Sequence, residues 1–255
     1  IKFWTKRKGL AGDRVRVCEQ VSNGDLYVGT TEGLSIIHAK DGSITNINKS
    51  EKVTNDYIMC IYEEDDGKVW IGTDGGGVFV LKDEKIILTL TKEKGLAGNV
   101  IFKIAPLRKN EIWICTGSGA SCIKNGQIYS FDSSKGFGTD GVFQLMLDYT
   151  QKVWGTSNSG LFNITLDDID EIIEGKKTKI NAKFYNKLDG ITSGGVTSTS
   201  LSMRDDLGRM WFTLVDGFTI YDPVRNASKT SAPEIKIQEV YADSNIVEMK
   251  GDKII

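Results

Sequence analysis

Asp65-Asp66-Gly67-Lys68-Val69-Trp70-Ile71-Gly72-Thr73 is the stretch on which the fold turns. Its Asp-Gly pair supplies the positive φ that a tight hairpin needs. The apolar run that follows is too short for a helix and rich in aromatic and β-branched side chains. One such unit decides little; its recurrence decides the architecture. The same aromatic-led run returns as Tyr27-Val28-Gly29-Thr30, Trp113-Ile114-Cys115-Thr116, Trp154-Gly155-Thr156 and Trp211-Phe212-Thr213, with anchor spacings of 43, 43, 41 and 57 in chain order. The last spacing is one period plus an insertion of roughly 14 residues. Gly9, Gly95 and Gly136 each stand 18 residues before their anchor, and Asp13, Asp56, Asn99 and Asp140 each stand 14 before theirs.

Working outward within one period, residues 15–21 alternate, Ser22-Asn23-Gly24-Asp25 turns the chain, and 26–30 form a second strand. A third strand runs through Ile37, Asp41-Gly42 turns again, and 44–48 make a fourth. Four antiparallel strands in roughly 42 residues are one blade of a β-propeller, a unit that buries its faces only by packing on its neighbours. The expected fold class is therefore all-β, with five four-stranded antiparallel blades at 9–51, 52–94, 95–135, 136–189 and 190–228. The aromatic anchors fill the space between blades. Residues 1–8 are expected to be the outer strand of a preceding blade. The extra residues of the fourth blade, 166–175, place Ile169, Ile172 and Ile173 at helical spacing, with Asp167 or Asp168 as N-cap and Gly175 as stop. This predicts a short amphipathic helix on the rim, its acidic residues forming a solvated face. From Lys229 the repeat ends, and 229–255 reads as a linker and the start of a β-sandwich whose first strand is 234–241.

Composition narrows the function classes. Net charge is −2, with 32 basic and 34 acidic residues spread evenly, whereas a nucleic-acid surface needs a basic stripe. No apolar run approaches the length of a membrane span. The chain begins at Ile1 rather than Met, and we expect it to be part of a longer polypeptide. Cys18, Cys60, Cys115 and Cys122 fall singly on strands without zinc spacing, and His38 is the one histidine. The cysteines are expected to be small core residues, with a disulfide left open, and no metal or other cofactor is implied.

The Gly95-Leu96-Ala97-Gly98-Asn99 loop and the Asp66-Gly67 turn leading into Trp70-Ile71-Gly72-Thr73 resemble the two-component regulator propeller repeat, and the resemblance covers nearly all of 9–228. The tail Pro233-Glu234-Ile235-Lys236-Ile237 is similar to the opening of the immunoglobulin-like sandwich that follows such propellers. The resemblance implies a seven-bladed ring of which five blades are present here. It also implies an extracytoplasmic sensor region of a bacterial histidine kinase or diguanylate cyclase, membrane-anchored and homodimeric in full length, with glycan-derived oligosaccharides as ligands.

In an antiparallel blade, alternate connections emerge on alternate faces. The loops after the anchor strand thus share a face with the loops between blades, collecting Asp13, Arg14, Glu32, Asp56, Tyr57, Asp74, Asn99, Ser118, Asp140, Asn158 and Asp216. Polar, Gly-rich and mixed in hydrogen-bonding groups, that face suits an oligosaccharide or another small polar ligand near the central channel. Asp13, Asp56, Asn99 and Asp140 repeat in register and are expected to bond their own turns. The candidate ligand-binding residues are Arg14, Glu32, Tyr57, Asp74, Asn158 and Asp216. Two other functions compete with sensing: a protein-interaction platform without a small ligand, and a propeller lyase or hydrolase. The second needs a base tuned near neutrality. His38 ends a third strand, away from the loop face, so no catalytic residue is assigned.

Overall fold

The 42-residue period becomes a series of antiparallel sheets in the computed structural model, which describes residues 2–48, 55–185, 189, 191, 195–198, 201–227, 240–242, 245–247, 249–250 and 253–254. Two compact units form, Ile1–Pro223 and Val224–Ile255. In the first, blade 1 is β1 (Val15–Gln20), β2 (Leu26–Thr30), β3 (Gly33–Ile37) and β4 (Ile44–Ile47). Blade 2 is β5 (Ile58–Glu63), β6 (Val69–Thr73), β7 (Val78–Lys82) and β8 (Lys85–Leu90). Blade 3 follows as β9 (Ile101–Ala105), β10 (Glu111–Thr116), β11 (Gly119–Lys124) and β12 (Gln127–Phe131). Blade 4 is β13 (Val142–Leu147), β14 (Lys152–Ser157), β15 (Gly160–Thr165) and, after helix α1 (Leu166–Ile173), β16 (Lys183–Tyr185). In each, strand order is sequential and every pairing antiparallel. Blade 5 shows β17 (Met203–Arg204), β18 (Met210–Leu214) and β19 (Gly217–Tyr221) among the described residues. Then Pro223, suited to a first helical turn, opens helix α2 (Pro223–Ala227).

The second unit shows two hairpins, β20 (Val240–Ala242) with β21 (Asn245–Val247) and β22 (Met249–Lys250) with β23 (Lys253–Ile254). Most of 188–194, and the expected sandwich strand as far as residue 239, lie outside the described residues.

Three sequence expectations change. Residues 2–5 carry no strand and Lys6–Lys8 is a 3-10 turn, because an outer strand needs a third strand to pair with and the described chain provides none there. The registered glycines Gly9, Gly95 and Gly136 end such turns at φ 107, 105 and 87, conformations that glycine tolerates best. Helix α1 is capped by Thr165, whose hydroxyl accepts from the Asp168 amide at 3.2 Å, so Asp167 and Asp168 lie inside the first turn rather than capping it. Gly175 does end it, at φ 74. Cys60, Cys115 and Cys122 are buried, and burial pushes each thiol up to about 12. Cys18, by contrast, is exposed, since no blade covers the leading face of β1. All four are free.

The core lies between blades. Tyr27, Leu34, Ile36 and Ile47 of blade 1 close on Ile58, Ile71 and Phe79 of blade 2. Trp70, Val78 and Val80 of blade 2 close on Ile101, Ile112 and Ile114 of blade 3. Trp113 and Phe131 of blade 3 meet Val142, Val153 and Phe162 of blade 4, with Ile169 and Ile172 of α1 packed into the same cluster. Trp154 meets Met210 and Phe212 of blade 5. Each anchor from Tyr27 to Trp154 therefore lies between blades, as expected, and the structure adds that it packs toward the following one.

Helix α1 is also held by charge. Arg108 makes a two-pronged bond to Asp170 (2.7 and 2.8 Å) and another to Glu111 (2.6 and 3.0 Å), and Lys124 lies 3.0 Å from Glu111. Such planar fork geometry suits arginine. Burial pushes the Glu111 carboxyl up, but the bonds from Arg108 and Lys124 outweigh it and hold the group below its usual range. The Arg108 bonds likewise depress Asp170. The expected solvated acidic face is thus partly a latch joining blade 3 to the helix of blade 4.

Candidate functional site

The loop face forms as expected, stitched by backbone. The amides of Gly75 and Gly77, in the loop after β6, both donate to the carbonyl of Asn99 in the next blade, at 3.1 and 2.8 Å. Asp13 Oδ1 accepts from the Lys6 amide and Asn99 Oδ1 from the Lys92 amide, both at 2.7 Å. These two registered residues therefore hold the 3-10 turn that precedes them. Asp56 Oδ1 is buried without a hydrogen-bond partner, and Asp140 is exposed.

The six candidate residues are spread over this face rather than gathered. Arg14 is exposed and bonds Thr31 through its carbonyl; Glu32 pairs with Lys6. The half-buried Tyr57 and the exposed Asp74 are joined by a backbone bond of 3.0 Å. Asn158 accepts from the Thr139 hydroxyl at 2.6 Å, and Asp216 is exposed in blade 5. None of them borders either of the two cavities described below.

What does converge is a set of side chains placed by β-bulges. In each of the first four blades the pairing between first and second strands slips by one residue near the loop-face end of the first strand. The extra residue is Arg16 in blade 1, Met59 in blade 2, Phe102 in blade 3 and Phe143 in blade 4. Each stands three positions after the registered Asp or Asn. A bulge bends its strand and re-aims a side chain, and here it does so at one depth beside the axis. The Arg16 guanidinium lies over the Tyr57 ring at 5.7 Å, and Phe102 and Phe143 meet edge to face at 5.1 Å.

Arg16, Met59 and Phe102 border a cavity of about 290 Å³, with Cys18 and Glu19 of β1, Lys103 of β9, and Ser198 and Leu201 of blade 5. Walls from blades 1, 2, 3 and 5 can share one cavity only if the first strands surround a common axis. The Gln144 amide supports that curvature. It donates to the Ser202 carbonyl (2.8 Å) and accepts from the Ser202 amide (2.9 Å), tying blade 4 to blade 5. Sequence reasoning missed the bulged residues, although their fixed offset from the registered Asp or Asn was available.

A larger cleft of about 540 Å³ opens on the opposite face between the hairpin turns of blades 2 and 3. Several of its charged groups already serve the fold: Arg108 and Glu111 in the latch, Glu64 accepting from the Trp70 indole at 2.8 Å, and Asp66 bonded to Lys68 at 2.5 Å. His38 lies away from both cavities, 2.9 Å from the Thr45 hydroxyl and 3.4 Å from Asp25. Among the described residues no His, Cys, Asp and Glu cluster could hold a metal, and no helix is long and apolar enough to cross a membrane.

Comparison with known proteins places this geometry. Residues 52–75 match the two-component regulator propeller family, the same stretch that decides the fold from sequence. No curated protein matches the chain. Among solved structures, the extracellular domain of the putative hybrid two-component system BT3049 from B. thetaiotaomicron is similar over 94% of this chain, at 22% identity and TM-score 0.73. The chain spans about a third of that structure, 32%. The extracellular domain of the putative one-component system BT4673 from the same organism is similar at 16% identity over 84% of this chain and 28% of its own, TM-score 0.58. Virginiamycin B lyase from Staphylococcus aureus is similar at 18% identity over 82% of this chain and 69% of its own, TM-score 0.55. At these identities the likeness establishes the fold, a β-propeller.

Proposed function

We propose that this chain, which carries a two-component regulator propeller repeat at residues 52–75, is the extracytoplasmic ligand-sensing propeller of a membrane-anchored, homodimeric sensor kinase or diguanylate cyclase. It recognises an oligosaccharide or another small polar metabolite without turning it over. The repeat and the likeness to extracellular domains of two systems from B. thetaiotaomicron support the sensor role. The observation that carries the ligand is the ring of bulges. The backbone device is the same in four blades while the side chain it presents changes from Arg to Met to Phe. A purely structural device has no need to vary its side chain around a shared cavity. The cavity is at the small end of the range for ligand pockets and combines apolar walls with a few polar groups.

The non-catalytic part of the reading rests on His38, engaged by Thr45 and Asp25 at the distal end of β3. Calorimetry of the chain against a glycan panel tests the proposal. Saturable binding that weakens in Phe102→Ala is expected. Chemical change of a bound glycan, or binding that ignores Phe102, overturns it.

A further inference from the structure

We infer that the ligand of the axial cavity carries a carboxylate, a uronic-acid oligosaccharide rather than a neutral one; this rests on the sensor reading above and specifies its site. The case starts from two cations, Arg16 and Lys103, which border the cavity from β1 of blade 1 and β9 of blade 3. Neither forms an ion pair among the described residues. Arg108, which lines the opposite cleft, is by contrast neutralised by Asp170 and Glu111, and Lys124 by Glu111.

The geometry of Arg16 adds direction. Its guanidinium lies 5.7 Å from the centre of the Tyr57 ring, and among the described residues its N–H groups meet no acceptor. The guanidinium fork matches the two oxygens of a carboxylate. Phe102, braced edge to face by Phe143, offers a flat apolar surface beside it, suited to the C–H face of a sugar ring. Lys103 adds a second, less directional charge.

The opposing groups do not cancel this. Glu19 also borders the cavity, but it stands three residues farther along β1, toward the hairpin face. Glu19 pairs with neither cation among the described residues, which leaves two cations against one carboxylate around the cavity. On the loop face Glu32 is neutralised by Lys6, and Asp13 is taken by the Lys6 amide. Cys18 and Cys60, the other ionisable neighbours, are free thiols.

The test is calorimetry of the 255-residue chain with matched probes: trigalacturonate and a glucuronate-terminated disaccharide, each beside its methyl ester, and a sulfated disaccharide. The acids should bind at least roughly tenfold tighter than their esters. That preference should shrink at high salt and disappear in Arg16→Gln, with Lys103→Gln giving a smaller loss and both variants keeping wild-type circular dichroism. Esters binding as tightly as acids, or Arg16→Gln retaining the preference, overturns the inference and leaves the sensor reading standing. Tighter binding of the sulfated sugar replaces carboxylate by sulfate recognition and overturns the assignment as stated. Neutral and acidic probes all failing to bind the folded chain overturns the glycan-sensor reading itself.

Discussion

The seam between blades 3 and 4 and the far face of blade 5 present the same registered residue to opposite surroundings. Trp113 is 1% exposed, stacked on Phe131 at 5.3 Å, and continues through Phe137 and Phe162 as an aromatic row closed by helix α1. Trp211, at the same place in blade 5, is half-buried; it stacks on Phe218, also at 5.3 Å, but Phe218 is 63% exposed and Ile220 44%. What stays constant is the part of the device made inside one blade. The indoles of Trp154 and Trp211 both donate at 2.8 Å to an aspartate six residues earlier, Asp148 and Asp205. The burial pressing on Asp205 is outweighed by the bonds from Trp211 and Arg209, which hold its carboxyl at about 2. Local hydrogen bonds thus survive without a neighbouring sheet, and burial does not.

The largest expected effect comes from removing the anchor where it is covered. Trp113→Ala should lower unfolding free energy by about 3–5 kcal/mol in urea titration, and Trp211→Ala by about 1 kcal/mol. Equal losses would show that the two faces do not differ energetically. Next is the latch: Arg108→Met leaves the buried Glu111 with Lys124 alone and should cost about 2 kcal/mol. It should also change the acid limb of stability. Glu111 and Asp170 titrate below their unfolded values, so their contribution is complete above the unfolded carboxylate range, about 4, and drains as pH falls through the folded values. A melting-temperature profile of Arg108→Met should be flatter there, and an unchanged acid limb would break the assignment.

A comparable effect is expected at Asp148. Asp148→Ala leaves the Trp154 indole and the amides of Thr150 and Lys152 without their acceptor, about 2 kcal/mol by chemical denaturation, with the more open Asp205→Ala costing less. Smallest is the uncovered face: Phe218→Ser with Ile220→Thr should move stability by no more than about 0.5 kcal/mol. Those changes should still reduce self-association in sedimentation, since an exposed apolar patch is sticky.

Much of this was legible in the sequence because repetition multiplies a weak signal. The Asn-Gly and Asp-Gly turns, the anchors and the registered Asp13 and Asn99 act over a few residues, and each took its expected place. Cys18 and Thr165 show the limit. Cys18 looks like the other three cysteines and differs because, among the described residues, no blade covers the side of β1 that faces away from blade 2; Thr165 caps α1 because β15 ends one residue before the helix begins. The six candidate ligand residues lie on the expected face, yet the cavity is lined by others. An apolar-polar pattern tells which face a strand buries and is silent about a one-residue slip, so the fixed offset of Arg16, Met59, Phe102 and Phe143 gained its meaning as bulges only once the pairing was seen.

The sequence by itself determined the repeat period, the strand order within a blade, the placing of the anchors between blades and the face that bears the loops. All of these follow from turn chemistry and alternation over short range. Tertiary structure alone decided which anchors are covered, that Arg108 finds Asp170 from 62 residues away, and that three of the four bulged residues border one cavity with two cations that form no ion pair among the described residues. Those features depend on how sheets curve around an axis. The curvature comes from summed packing between blades, a property that no single repeat contains.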